Sequence, residues 1–366
     1  MLAAVLHEFD QPLRVQEVEV QEPGPGEVLI RIAASGVCRS DLHVMEGRSV
    51  VARVPMVLGH EGAGRVEQVG PGVTSLAVGQ PAVIALYGPC GACGDCRSGA
   101  IERCMSETRR NNMYGLMPDG ETRLRVDGQT LYPMVGSGSL AEYALVREAQ
   151  AVAIPEEVPL EFACLTGCGV TTGVGAVLNV AQVHPGASVA VIGCGGVGLN
   201  VVQGARIAGA SRILAVDTET SKLDLASDLG ATDLLQVAAG DSIAEAVGER
   251  VPGGVDYAFE VVGNPALVVE AFRATRPGGA AVMVGSPPTG EDIPVDGRLL
   301  FSDRRLLGTT GGGNVPARDI PRLMDFYLQG SLNLEKLVSQ TLSLEQVNDA
   351  FEALREGKLA RSIVKP

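Results

Sequence analysis

At 366 residues, 46% hydrophobic and 20% charged, the chain is globular and too long for one compact core, so two domains are expected. A net charge of −14 with no Lys/Arg block excludes the clustered positive surface that nucleic-acid binding needs. No run approaches the ~20 apolar residues of a membrane span, and the N-terminus reads as a strand and not as a secretory signal, so a cytoplasmic globular protein with no membrane partner is expected.

Residues 1–160 carry short β-type runs broken by Gly and Pro: Glu27-Val-Leu-Ile-Arg-Ile, Gly64-Arg-Val-Glu-Gln-Val and Pro81-Ala-Val-Ile-Ala-Leu. Their close spacing predicts a barrel-like, mostly antiparallel domain. From about residue 170 the pattern changes to alternating elements: strand 187–192, helix 197–208, strand 212–216, helix 221–229, then strands 256–261 and 279–284. Such alternation predicts βαβ units on a parallel sheet. A helix near 317–329 and a terminal strand at 362–364 are expected to rejoin the first domain.

Two motifs carry chemistry by themselves. Cys90, Cys93, Cys96 and Cys104 place four of the eight thiols in one short loop, the donor set of a closed, structural zinc site; paired disulfides are the weaker alternative in a reducing compartment. The turn Gly193-Cys-Gly195-Gly196-Val197-Gly198 follows an apolar strand and opens a helix, and Asp217 closes the next strand. Gly193 and Gly195 permit a tight turn and close approach of a pyrophosphate, Gly198 lets helix and strand pack, and the helix N-terminus attracts the phosphates. A carboxylate at Asp217 suits ribose hydroxyls and repels a 2′-phosphate, so NAD is expected in preference to NADP.

Other motifs are informative together. Gly36-Val-Cys-Arg-Ser-Asp-Leu-His43, Gly59-His60-Glu61-x2-Gly64-x5-Gly70, Gly115-Leu-Met-Pro-Asp-Gly120 and Leu165-Thr-Gly-Cys-Gly-Val-Thr-Thr-Gly173 follow in order along the chain. With the cysteine loop and the glycine turn, this text resembles the zinc-containing alcohol dehydrogenases of the medium-chain dehydrogenase/reductase family, over essentially the whole length. The resemblance implies a GroES-like catalytic domain (1–169 and 313–366) split around a Rossmann NAD-binding domain (170–312), with the active site in the cleft between them. It implies two zinc ions: a catalytic one on Cys38, His60 and Cys168, and a structural one on the four-cysteine loop. Asp41 would orient the His60 ring, Glu61 would stand beside the metal, and Ser40 and His43 would relay the alcohol proton to solvent. Arg39 and Arg361 would reach the pyrophosphate and Lys222 the adenosine ribose. Cys164 and Cys194 match no ligand position and read as packing residues.

The reaction so implied is NAD-linked interconversion of an aliphatic or aromatic alcohol and its aldehyde or ketone, the zinc acting as Lewis acid. Tyr87 and Leu140 fall where family members line the substrate pocket. Arg109 and Arg110 lie near the position at which thiol-dependent formaldehyde dehydrogenases hold a carboxylate, so oxidation of an S-hydroxymethyl adduct of glutathione or mycothiol is the second reading. A non-catalytic NAD-binding zinc protein is the third, and it predicts a missing ligand or relay residue where none is missing. Family practice implies a homodimer, with a tetramer open, joined through an edge strand expected near 280–285.

Overall fold

The computed structural model describes residues 1–357 and 359–366. The chain divides into two compact units, one comprising Met1–Cys168, Val315–Gly330 and Val338–Pro366, the other Gly169–Asn314 and Ser331–Leu337.

In the first unit the long strand Glu27–Val37 organises the main sheet. Its even positions Val28, Ile30 and Ile32 are buried while Arg31 and Ala33 are exposed, the period-two alternation of a sheet with one face on the core. It pairs antiparallel with Glu61–Val69, Tyr143–Arg147 and the terminal strand Arg361–Lys365. Pro81–Ile84, Ala151–Ala153 and Val338–Ser343 complete seven strands, and the pairing of Val338–Ser343 with Arg361–Lys365 is parallel. A second sheet of six short strands begins with Leu2–Leu6. The expected antiparallel, β-rich character is present, distributed over two sheets. Leu6, Leu42, Met56, Leu58, Leu140 and Phe351 form the largest core here, which buries the helix Arg39–Met45 on its Leu42, Val44 and Met45 face.

Helix Pro316–Leu328 also belongs to this unit. Proline occupies its first turn, Asp319 accepts a hydrogen bond from the Val315 N–H at 2.8 Å, and Pro316, Asp319, Ile320, Leu323 and Met324 make one buried stripe at helical spacing.

The second unit is a six-stranded, all-parallel sheet in the order Asp233–Gln236, Arg212–Asp217, Ser188–Ile192, Val255–Glu260, Thr275–Met283, Arg305–Gly308. In chain order that is 3-2-1-4-5-6, the doubly wound arrangement, whose strand order reverses between Ser188–Ile192 and Val255–Glu260. Ser188–Ile192 is buried over four consecutive residues, because helices cover both faces and leave no side for polar residues. One expectation fails here. The segment 280–285 is not an edge: the strand Thr275–Met283 pairs on both sides, and the outermost strand is Arg305–Gly308. Four residues of mixed character, Arg-Leu-Leu-Gly, give too short a pattern to announce a strand in the sequence. Among the described residues no single helix is long and apolar enough to cross a membrane.

Candidate metal centres and dinucleotide turn

Cys38 follows the strand Glu27–Val37 and is the N-cap of helix Arg39–Met45. Asp41, in the first turn, returns its carboxylate to the Cys38 N–H at 2.9 Å. The same carboxylate accepts the Gly59 N–H at 2.9 Å and faces His60 Nδ1 at 3.1 Å. One fully buried acid thus fixes the helix start, the turn before His60 and the imidazole ring. Its charge selects the tautomer protonated on Nδ1, which leaves Nε2 as the ring's lone-pair nitrogen. Nε2 is buried and without a hydrogen-bond partner. Donor atoms of Cys38, His60, Glu61 and Cys168 lie within 4.8 Å of one another, and all four residues are buried.

The electrostatics of this cluster are those of a cation site. A hydrogen bond from Cys168 holds the Cys38 thiol well below the ordinary range, helped by Arg361 and His60 and opposed by burial. That bond and burial push Cys168 well above it, so the two thiols keep one proton between them. Burial works against charge on His60, but Asp41 and Cys38 outweigh it and raise the imidazole well above its usual value, so without a metal Nε2 holds a proton that a bound cation would displace. Burial lifts Glu61 to about 7 although Arg361 stands 3.3 Å away. Two thiols, an imidazole with an unpartnered nitrogen and an enclosing wall fit a tetrahedral zinc with one position open.

Ser40 and His43 are three apart on the same short helix, hence on neighbouring positions of one face. Ser40 Oγ is 3.9 Å from Cys38 Sγ; Ser40 is exposed and His43 half-buried. Burial, then Arg48 and Arg39, lower the His43 pKa.

The four thiols of Cys90, Cys93, Cys96 and Cys104 also lie within 4.8 Å of one another, and every cysteine is free of disulfide bonds. Backbone N–H groups point at these sulfurs: Cys90 Sγ accepts from Cys93 at 3.3 Å, and Cys93 Sγ from Cys96 at 3.5 Å. A hydrogen bond from Ser106, with those of Ala92 and Cys93, lowers Cys90 to about 6, while partial loss of water contact, with the neighbouring Cys93, Cys104 and Cys90 thiols, pushes Cys96 up to about 12. No residue from 90 to 103 is buried, so this loop has no apolar core to hold its shape.

In the second unit the glycine turn joins strand Ser188–Ile192 to helix Gly198–Ile207. Gly193 has φ +93°, and a side chain at Gly198 would strike the Gly193 carbonyl, so both positions require glycine. Asp217 accepts the Cys194 N–H at 2.7 Å and the Glu219 N–H at 3.0 Å, with Lys222 Nζ 3.8 Å away. Gly195, Gly196 and Val197 lie between turn and helix, where unpaired N–H groups suit a phosphate.

The remaining expected residues divide. Arg39 is exposed, whereas Arg361 is 5% exposed, paired with Glu61 and hydrogen-bonded to the Val37 carbonyl at 3.3 Å. Leu140 is fully buried beside Leu58 and the turn before His60. Tyr87 is nearly buried under the Arg109 guanidinium, 4.1 Å from its ring centroid, while Arg110 is exposed. The sequence did not reveal the Glu61–Arg361 pair, formed by residues far apart in the chain. It also missed Glu260, whose Oε1 accepts the N–H groups of Val262, Gly263 and Asn264 at 2.9, 2.7 and 3.2 Å. An acid ending an apolar strand just before a glycine was the available signal.

The alcohol dehydrogenase GroES-like domain family matches residues 24–156, and the zinc-binding dehydrogenase family matches 196–329. The chain belongs to the zinc-containing medium-chain dehydrogenases. It is 40% identical over 364 residues, 99% of this chain and 98% of the relative, to S-(hydroxymethyl)glutathione dehydrogenase of Synechocystis sp.. An alcohol dehydrogenase zinc-binding domain protein from Burkholderia ambifaria superimposes with TM-score 0.94 at 38% identity, over 100% of this chain and 98% of that one. Benzyl alcohol dehydrogenase from Acinetobacter calcoaceticus does so with TM-score 0.93 at 34% identity, with the same coverage of each chain. This medium-chain dehydrogenase is therefore a zinc-dependent oxidoreductase with a GroES-like and a Rossmann part, and its cofactors are zinc and a nicotinamide dinucleotide.

Proposed function

We propose that the enzyme interconverts a small alcohol, aliphatic or aromatic, and its aldehyde or ketone with NAD as hydride acceptor. The observation that carries this reading is the buried set Cys38, His60 and Cys168, with the unpartnered His60 Nε2, adjoining a helix that bears Ser40 and His43. Those three residues would hold the catalytic zinc, and Cys90, Cys93, Cys96 and Cys104 the structural one. When bound, zinc supplies Lewis acidity that eases loss of the hydroxyl proton, and NAD supplies the hydride acceptor.

The chain's own residues do the rest. Asp41 holds the His60 ring in the ligating tautomer. Ser40 accepts the proton of the substrate hydroxyl as it releases its own toward His43, which delivers a proton to solvent, a role suited to an imidazole whose lowered pKa keeps it neutral and able to accept. Glu61, balanced by Arg361, places a carboxyl of adjustable charge beside the thiols. The glycine turn seats the pyrophosphate, Asp217 and Lys222 address the adenosine ribose, and the carboxylate favours NAD; of the two arginines expected to reach the pyrophosphate, Arg39 is exposed and Arg361 is committed first to Glu61. Tyr87 and Leu140 are assigned to the apolar side of the substrate pocket. We place a homodimer contact on the outermost strand Arg305–Gly308, next to Phe301, which is 94% exposed.

A second reading, oxidation of S-hydroxymethylglutathione, is favoured by the name of the Synechocystis relative. It needs a cation free to hold the adduct's carboxylate. Arg109 is committed through Nη1 to the carbonyls of Glu102 and Cys104 at 2.9 and 2.6 Å, so in that reading the exposed Arg110 would have to hold the carboxylate. NADH formation should be measured on a panel of alcohols, and on formaldehyde with and without glutathione or mycothiol. Thiol-free oxidation of benzyl or long-chain alcohols is expected; strict thiol dependence would overturn the first reading, and absence of all turnover in a protein carrying two zincs would overturn both.

A further inference from the structure

Arg109 is 6% exposed, yet among the described residues it forms no ion pair with a carboxylate. A buried guanidinium needs other partners for its charge. Here Nη1 alone donates to the carbonyls of Glu102 and Cys104, Nε is buried without a hydrogen-bond partner, and the group lies on the face of Tyr87, 4.1 Å from the ring centroid, so the ring face carries much of what holds the cation.

The two ends of this contact belong to the two thiol clusters. On one side Cys104 is the last thiol of the four-cysteine loop, and its Sγ is 3.4 Å from Ser106 Oγ. Ser106 in turn caps helix Glu107–Met113 by accepting the Arg109 N–H at 3.2 Å. On the other side Tyr87 follows Leu86, whose N–H donates to the Gly167 carbonyl at 2.9 Å, and Gly167 immediately precedes Cys168. A continuous path of short contacts therefore runs from Cys104 through Arg109 and Tyr87 to the Cys168 segment.

We propose that Arg109 is a positioning residue: it uses the ordered four-cysteine loop as an anchor to hold the Tyr87 ring, and so makes that loop a determinant of selectivity for flat aromatic alcohols. The inference rests on the alcohol reading and on Tyr87 lining the pocket. A fixed ring offers a flat wall that stacks with a planar substrate, and a ring free to turn does not. A puckered saturated ring gains little from either state. Lysine keeps the charge and N–H donors for the carbonyls but has no planar group to lie flat on the ring, so it holds the ring less well.

The test compares benzyl alcohol with cyclohexylmethanol, of nearly equal size, in the zinc-loaded enzyme and its Arg109→Met and Arg109→Lys variants. Wild-type turnover of benzyl alcohol is measured first; its absence overturns the alcohol reading and this inference with it. Given turnover, Arg109→Met is expected to raise KM for benzyl alcohol at least fivefold with kcat changed less than twofold. KM for cyclohexylmethanol should move less than twofold, with two zincs per chain and NAD affinity retained, and Arg109→Lys should fall between. Equal effects on both alcohols, or no effect, overturn the inference. Should Arg109→Met lose zinc or fail to fold, Tyr87→Leu decides in its place. Combined with Arg109→Lys it should add nothing to the loss of aromatic preference caused by Tyr87→Leu alone, and additive losses refute the coupling.

Discussion

His43 shows how neighbouring charges set the working range of a single residue. Burial, Arg48 and Arg39 disfavour its imidazolium form, while Glu46 and Cys38 favour it less strongly. Arg48 also pairs with Glu46, which restrains that carboxylate. A relay imidazole must be neutral to accept a proton, so a lowered pKa extends activity toward acid. Arg48→Gln removes a positive neighbour and releases Glu46, and both changes raise the His43 pKa. The acid limb of the kcat profile should therefore move to higher pH, with the alkaline limb and KM for NAD unchanged; an acid limb that stays put, or moves lower, would remove His43 from the proton path. Nothing in the sequence foretold this setting. Ser40 and His43 were legible as a pair three apart, but Arg48 and Glu46 gain meaning only once the helix ends and the chain folds back, with the Arg48 N–H on the His43 carbonyl at 2.9 Å.

The cysteine loop and the catalytic cluster were legible to different degrees, for a reason of chain geometry. Four thiols in one loop announce themselves, because their ligand set is local. Cys38, His60 and Cys168 come from a helix cap, a turn and a short helical segment far apart in sequence, and no periodicity brings them together; only resemblance to a family did. Their elements also differ in what supports them. His60 is locked by Asp41 within a packed core, whereas residues 90 to 103 have no buried member. Structural zinc sites in small peptides are worth ~10–16 kcal/mol, and a loop without a core depends on such a term. Cys93→Ala should thus lose one zinc and make the loop sensitive to proteolysis, while the Rossmann unit keeps its NAD affinity. His60→Ala should lose the other zinc and leave the loop resistant, with turnover reduced ~10³-fold or more, since Lewis-acid stabilisation is worth several kcal/mol. Zinc counts, limited proteolysis and NADH formation on both variants separate the two roles; a His60→Ala enzyme with near-normal turnover would disprove the assignment.

For the whole molecule, the doubly wound half was the more readable part, since its central strands, glycine turn and first helices each carry their own pattern, and their alternation announces a parallel sheet although not its strand order. The exceptions were the two outermost strands, Asp233–Gln236 and Arg305–Gly308, each only four residues long, and the helices Ile243–Arg250 and Pro265–Ala274; without Arg305–Gly308 the edge of the sheet was misplaced. The expectation that NAD is preferred over NADP also belongs to this scale, because it can be read as stability of the unit that binds the dinucleotide. A ligand at 100 times its Kd stabilises the folded state by ~2.7 kcal/mol, which for a unit of this size raises Tm by roughly 5–10 °C. Asp217 already accepts two backbone N–H groups that shape the turn, so its carboxylate is fixed beside the glycine turn. A 2′-phosphate brought beside it adds negative charge against a fixed anion that Lys222, 3.8 Å away, only partly offsets. NAD is accordingly expected to bind at least tenfold more tightly than NADP and to raise Tm more at equal concentration. Asp217→Asn keeps an acceptor for the turn while removing the charge, so it should narrow the gap between the two dinucleotides without abolishing NAD binding. Equal Tm shifts from NAD and NADP in the unaltered enzyme would refute the preference, and a gap unchanged in Asp217→Asn would assign it to other residues.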